Sequence, residues 1–298
     1  MNYPPRVSVV IASIVGAPFI DECLDSLERQ AKDVGAEVIV VACGTAEYAA
    51  RIAGKFSWVR VIPRSQRETV PDLRRHGVEE AGGDIVAIIE EHCSAAPDWL
   101  RQAVEAHAGG DFGVVGGPVV DFAYPRLRDW VVYFCEYNNY LPPWQEGDEH
   151  DLGSANIAYS QAVLLKYKDL LGAGYWEAVL HPRLKADGVK FRAVPAMVVH
   201  HRGPFNYGYY LQQRYWFSRA FAGARKLPAS RKAVYVLTSP LVPFLLLVRM
   251  ALRVSKKHCH VDKFAQSLPL LIPALIVYVA GEFIGYVAGP GNALLRVE

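Results

Sequence analysis

The sequence lacks the short motifs of the commonest nucleotide chemistries. Neither G-x-G-x-x-G nor G-x-x-x-x-G-K-[ST] occurs in its 298 residues, which excludes the usual dinucleotide and P-loop readings. An excess of one charge is also missing: 32 Lys and Arg against 30 Asp and Glu leave a formal net charge of +2, too little to direct the chain to nucleic acid or another polyanion. Cysteine is sparse. Cys23, Cys43, Cys93, Cys135 and Cys259 form no C-x-x-C pair, and an odd number argues against a disulfide framework, so they read as reduced intracellular thiols or small apolar fillers. The opening MNYPPRVSVVIAS has two prolines before a single charge and then a strand-length apolar run, the pattern of neither a signal peptide nor a transit peptide, and predicts a chain facing the cytosol from its start.

What is present alternates in period. VSVVIAS (7–13) reads as a buried strand, and APFIDECLDSLERQ places Phe19, Ile20, Cys23, Leu24 and Leu27 on one face of a helix. AEVIVVACG gives a second strand, 59–62 a third, 70–80 another helix, and IVAII a further strand. This alternation predicts an α/β fold with a mostly parallel sheet, right-handed crossovers and flanking helices. In such sheets ligands gather beyond the carboxyl ends of the strands. In GDIVAIIEEHCSAAPDWL (83–100), Glu90, Glu91 and His92 therefore stand where chemistry is expected, although the same three residues would also suit a solvated strand end and a capped turn.

The C-terminal third changes character. AVYVLTSPLVPFLLLVRMAL and LPLLIPALIVYVAGEFIGYVAG each approach the length that crosses a bilayer, and the preceding NYGYYLQQRYWFSRAFAGARKLPASRK mixes aromatic and basic residues as a headgroup boundary does. Arg214, Arg219, Arg225, Lys226, Arg231 and Lys232 predict a main domain on the cytoplasmic side. A simple two-span hairpin would put Arg253, Lys256, Lys257 and Lys263 outside, whereas Pro240, Pro243, Pro269 and Pro273 would allow re-entrant or interfacial helices; both topologies stay open. Gly281, Gly285 and Gly289 at four-residue spacing suggest packing against a second copy, and Glu282 a polar partner there or a lipid headgroup site.

Five blocks in register carry a resemblance: VSVVIASIVGAPFIDECLDSLERQ, AEVIVVACGT, GDIVAIIEEHCSAAPDWL, GSANIAYSQAVL and WEAVLHPRLKADGVKFRAVPAMVVHH. Together, over about residues 5–203, they resemble the inverting family 2 glycosyltransferases of GT-A fold. The resemblance implies a nucleotide-diphosphate sugar across the carboxyl edge of the sheet, a DxD-like motif for ribose and divalent metal, and a later carboxylate that deprotonates the acceptor. The chain departs from the family at two places. Ala42 and Cys43 stand where an Asp pair is usual, and Glu90-Glu91-His92 replaces Asp-x-Asp.

Carried over residue by residue, the resemblance assigns Glu177 as catalytic base, with Ala12, Arg74, Glu90, Glu91 and Asn156 on the donor nucleotide, His92 and His201 on the metal, and Trp176 and Trp99 beside the acceptor. An imidazole ligand favours Mn²⁺ over Mg²⁺. His200 would face the other side of its strand. The implied function is membrane-anchored transfer of a sugar, from a UDP-sugar by default, to a lipid-linked or cell-surface glycan acceptor at the cytoplasmic membrane. Polyprenyl phosphate as acceptor and a non-catalytic scaffold are the alternatives. The expected domains are catalytic residues 1–204, a basic and aromatic interfacial segment 205–232, and a membrane-embedded helical pair 233–298.

Overall fold

A computed structural model describes residues 7–14, 16–147, 151–203 and 206–297, so the stretch before Val7 and the expected boundary at 204/205 lie outside the described residues. The chain begins β1 (Val7–Ser13), α1 (Phe19–Val34), β2 (Glu37–Cys43), α2 (Ala46–Lys55), β3 (Arg60–Arg64), α3 (Val70–Glu80) and β4 (Ile85–Ile89). The α1 stripe of Phe19, Ile20, Cys23, Leu24 and Leu27 is buried as its spacing predicts, and Gly35 ends the helix at φ 67°, where a side chain would strain the backbone. Thr45 caps α2 by accepting the Tyr48 amide, and Thr69 caps α3 by accepting that of Asp72. The short helix α2 was not anticipated. It buries only Ala49 and Ile52, too few positions to establish a period.

There follow β5 (Cys93–Ala95), α4 (Trp99–Ala108), β6 (Val114–Gly116), β7 (Val119–Val120), α5 (Leu127–Tyr137), β8 (Asn156–Ser160), α6 (Gln161–Lys166), α7 (Trp176–Ala186), β9 (Phe191–Ala193) and β10 (Val199–His201). The main sheet has seven strands in the order β3-β2-β1-β4-β8-β6-β9. Strands β3, β2, β1 and β4 are mutually parallel, β8 runs antiparallel to both β4 and β6, and β9 is parallel to β6. This is the expected mixed α/β architecture. β1 and β4 are central and bury nearly all their residues, so their carboxyl ends form the edge where a ligand of such a sheet would gather. A second sheet, β5-β10-β7, pairs His201 with Cys93 and His200 with Ser94.

The C-terminal helices are α8 (Tyr207–Ala224), α9 (Ala229–Thr238), α10 (Val242–Lys257) and α11 (Val261–Ala288). The chain forms two compact units that do not follow chain order: Met1–Val120 with Pro142–Arg202, and Asp121–Leu141 with Gly203–Glu298. Residues 121–141, which the sequence places with the catalytic domain, thus belong to the C-terminal unit. There the α5 ring of Trp130 lies 4.7 Å from the His260 ring and that of Phe134 5.2 Å from Phe264. Ala229–Lys257 and Val261–Ala288, with mean hydropathies of 1.8 and 2.0, are long and apolar enough to cross a membrane.

The glycine spacing in α11 has another explanation than a second copy. A Cβ on Gly281 would run into Tyr215 and Ser218, and one on Gly285 would come within 2.6 Å of the Arg219 carbonyl oxygen, so both glycines admit α8 of the same chain. Gly289 instead ends α11. Glu282 likewise finds a partner within the chain, bonding to Tyr278 one turn earlier on α11.

Candidate active site

The two adjacent glutamates after β4 do different things. Glu91 is 4 % exposed and turns under the β1–α1 loop. Its Oε2 accepts from the Ser13 hydroxyl at 2.6 Å and from the Gly16 amide at 3.0 Å, and its Oε1 accepts from the Ile14 amide at 2.7 Å. A carboxylate holding three donors inside the protein is a brace for that loop, in place of the expected nucleotide contact. Glu90 points towards charge. Its Oε1 lies 3.4 Å from Arg74 Nη2 and its Oε2 3.3 Å from His92 Nε2.

His92 is partly exposed and meets His201 edge to face, ring centroids 5.3 Å apart. The antiparallel pairing of β5 with β10 produces this approach of residues more than a hundred positions apart. His201 is fully buried; burial first, then His92, depresses its pKa well below the usual imidazole value, so the ring is held neutral. Arg202 fixes this corner, its amide donating to the His92 carbonyl at 2.8 Å and its side chain to Ser94 Oγ at 2.8 Å and Glu22 at 2.9 Å.

Glu90 and His92 present an oxygen and a nitrogen at about the separation of two neighbouring ligands on one divalent ion, ~3 Å for bonds of ~2.1 Å. These two donors fit a cation. The expected set including His201 is not assembled, since no three His, Cys, Asp or Glu side chains among the described residues form a group that could hold a metal ion. His201 sits behind His92 as its support.

Arg74 links this corner to the start of α7. The guanidinium, buried on α3, lies 5.8 Å from the Trp176 ring centroid while reaching Glu90. The next residue, Glu177, sits in the first turn of α7, and its Oε1 accepts from the Ser154 amide at 2.7 Å. One turn on, His181 bonds Tyr159 Oη at 2.6 Å; burial depresses its pKa to about 4, against the opposing pull of Glu177.

Three expected ligand contacts are packing residues instead. Trp176 is 0 % exposed, its indole N–H donating to the Leu171 carbonyl at 2.8 Å, and offers no face to a sugar ring. Trp99, equally buried, donates to Asn156 Oδ1 at 2.7 Å. Asn156 in turn donates to the carbonyls of Pro118 at 2.8 Å and Met197 at 2.6 Å, so its amide joins α4, β8 and two loops. Ala12 stands near the end of β1 beside Val41, half-exposed, where a small side chain leaves room.

Sequence reasoning missed Tyr48. Its hydroxyl bonds Ser13, and a Cβ on Gly16 or Gly44 would come 3.3 Å from its ring, so the phenol lies between the ends of β1 and β2. Burial, with Glu91 second, pushes its pKa up to about 12. The pair of glycines just beyond two buried strands was the available signal.

The family described as Glycosyl transferase family 2 matches residues 8–167. Among curated proteins, glycosyltransferase AglE of Haloferax volcanii is 30% identical over 127 residues, 41% of each chain. A glucosyl-dolichyl phosphate glucuronosyltransferase of the same organism is 26% identical over 178 residues, 54% of each chain. The matches thus span about half the length of these relatives or less. In solved structures, the mannosyltransferase PcManGT from Pyrobaculum calidifontis, in complex with GDP-Man and Mn²⁺, is similar with a TM-score of 0.58 at 17% identity, covering 94% of this chain and 87% of that one. Glucosyl-3-phosphoglycerate synthase from Mycobacterium tuberculosis, solved with Mn²⁺, UDP and phosphoglyceric acid, gives 0.52 at 18% identity over 74% of this chain and 77% of that one.

Proposed function

Since the chain belongs to glycosyltransferase family 2, we propose that it is an inverting, membrane-associated enzyme moving a sugar, hexosyl in type, from a nucleotide-diphosphate donor to a lipid-linked or glycan acceptor. The observation that carries this reading is the Arg74 bridge. One buried guanidinium touches Glu90 at the end of β4 and the ring preceding Glu177, so the candidate phosphate corner and the candidate base border one strand edge. The named relative that acts on glucosyl-dolichyl phosphate supports a lipid-linked acceptor, the two apolar C-terminal helices support a membrane site, and the basic residues from Arg214 to Lys232 support a catalytic unit on the cytoplasmic side.

In the proposed reaction an acceptor hydroxyl attacks the anomeric carbon on the face opposite the diphosphate. The new carbon–oxygen bond forms as the bond to the diphosphate breaks, and Glu177 takes the hydroxyl proton. The Ser154 amide fixes the Glu177 carboxylate for that transfer. Arg74 brings positive charge to the leaving group. Glu90 and His92 would hold a divalent ion, Mn²⁺ favoured by the imidazole, which when bound supplies charge neutralisation for the diphosphate. With Ala42 and Cys43 closing β2, the Tyr48 ring is the group suited to pack on a nucleobase, uracil by default.

The test is binding and turnover of a panel of nucleotide sugars by the purified full chain with Mn²⁺, Mg²⁺ or chelator. One nucleotide binds in a metal-dependent manner that His92→Ala weakens, and Glu177→Gln lowers turnover by about 10²–10⁴ while binding persists. Full turnover by Glu177→Gln with polyprenyl phosphate would favour that already ionised acceptor. Failure of every nucleotide to bind would leave the scaffold reading.

A further inference from the structure

We propose that the C-terminal unit lies flat in one leaflet of an anionic membrane and does not cross it. The first reason is the company α11 keeps. Tyr207 donates to the Leu270 carbonyl, Gly281 abuts Tyr215, Gly285 abuts Gly223, and Arg225 Nη1 donates to Tyr286 Oη at 2.9 Å. These pairs advance together along both helices, so α8 and α11 run parallel and in contact for the length of α8. A bilayer crossed by α11 would have to accept α8 beside it. Yet α8 carries Gln212, Gln213, Arg214 and Arg219, with Gln212 exposed, and only the α9–α10 segment and α11 have the length and apolarity of a span among the described residues.

The second reason is charge. Between Gly203 and Val261 the sequence has ten lysines and arginines and no aspartate or glutamate. Seven of them stand at the two ends of the bundle: Arg225, Lys226, Arg231 and Lys232 where α8 passes into α9, and Arg253, Lys256 and Lys257 where α10 ends. A crossing bundle would carry one of these clusters to the far face, against the retention of cationic segments on the cytoplasmic side. Lying flat, it sets both in a single layer of anionic headgroups.

The third reason is the exposed face. Along α9 and α10, Leu237, Leu241, Phe244, Leu245, Val248 and Leu252 are each 38–79 % exposed. Their spacing places them on one side of the helix, and Arg249, Arg253 and Lys256 fall alongside that stripe. An apolar stripe bordered by cations along the helix axis is the pattern of a helix lying in the membrane interface. The occupant of this face is therefore a lipid leaflet.

Sidedness and lipid charge test this without using the sugar chemistry, so a failed transfer assay does not bear on it. Arg231→Cys and Lys256→Cys, both exposed positions at opposite ends of the bundle, would be introduced singly into the full chain. They would be labelled with a membrane-impermeant maleimide in sealed vesicles against the parent protein. Both are expected to react from the same face; reaction of one only after permeabilisation would overturn the proposal. The purified full chain is expected to bind phosphatidylglycerol-containing vesicles at least about tenfold more tightly than phosphatidylcholine vesicles, with the difference shrinking in high salt. Equal binding to both would remove the charge argument. A stable dimer that ignores vesicles would assign the stripe to a second copy.

Discussion

Ser13 Oγ and Glu91 Oε2 meet at 2.6 Å across 78 residues of sequence, joining the carboxyl ends of two adjacent parallel strands. Glu91→Ala should strand the amides of Ile14 and Gly16 and leave the Ser13 hydroxyl with Tyr48 alone, at a cost of about 2–4 kcal/mol in a denaturant titration. Glu90→Gln, whose amide oxygen can still accept from the buried Arg74 guanidinium, should lower the unfolding midpoint less than Glu91→Ala and weaken metal-dependent donor binding. Equal stability losses in the two variants would remove the division of labour between these neighbours.

Asn156 is used on both ends of its amide, so its substitution should register as stability before activity. Asn156→Ala is expected to cost about 2–3 kcal/mol. Asn156→Asp should cost more, because a carboxylate would face the Pro118 and Met197 carbonyls in place of two donors. Trp99→Phe, losing a single hydrogen bond with the ring volume largely kept, should cost about 1 kcal/mol. Thermal or denaturant melting ranks the three.

Histidines give the two units opposite pH limbs. In the first unit His181 and His201 have depressed values, so below about pH 6.5 the unfolded chain takes up protons that the folded one refuses. Stability there falls as the pH drops from 6.5 towards about 4, where His181 titrates in the folded protein. In the second unit Asp121, 2.7 Å from His260 Nε2, raises that imidazole to about 10, with Cys259 contributing next. Its stabilisation is complete below the unfolded value and is lost as the pH rises from 6.5 through 10. His181→Phe should flatten the acid limb and His260→Gln the alkaline one in melts across pH 5–10; unchanged limbs would show that other groups set them.

The α8–α11 contact is close enough to be sensitive to one methyl group. Gly281→Ala should push against Ser218 and the Tyr215 carbonyl and cost about 1–3 kcal/mol, read as earlier proteolysis of the C-terminal unit in detergent or lipid. Gly289→Ala meets no neighbour within 4 Å and should suffer only from its φ of 75°. If instead the Gly281 variant separated into monomers with its proteolysis unaltered, the glycine would belong to an interface between copies.

Much of the architecture could be read directly from the order of residues. β1, α1, β2, α3 and β4 follow from local apolar periods, and the 70–80 helix has the bounds its sequence predicts. The same holds for the long apolar stretches that become α9–α10 and α11, because hydropathy over twenty residues is a property of composition alone. The position of Glu90, Glu91 and His92 just beyond the carboxyl end of β4 was equally legible, because the apolar run that makes the strand ends at Ile89.

Tertiary structure alone decided what each of those side chains does. Glu90 and Glu91 are chemically identical and adjacent, yet the chain turns one towards Arg74 and His92 and the other under the β1–α1 loop. Trp99, Trp176 and Asn156 have the chemistry of ligand-binding residues but spend it on Leu171, Pro118, Met197 and one another. The 121–141 segment joined the C-terminal unit, and the glycines of α11 received a helix of their own chain. Each of these outcomes depends on which distant segments pack together. Strand order and helix pairing fix that choice, and no window of local sequence contains them.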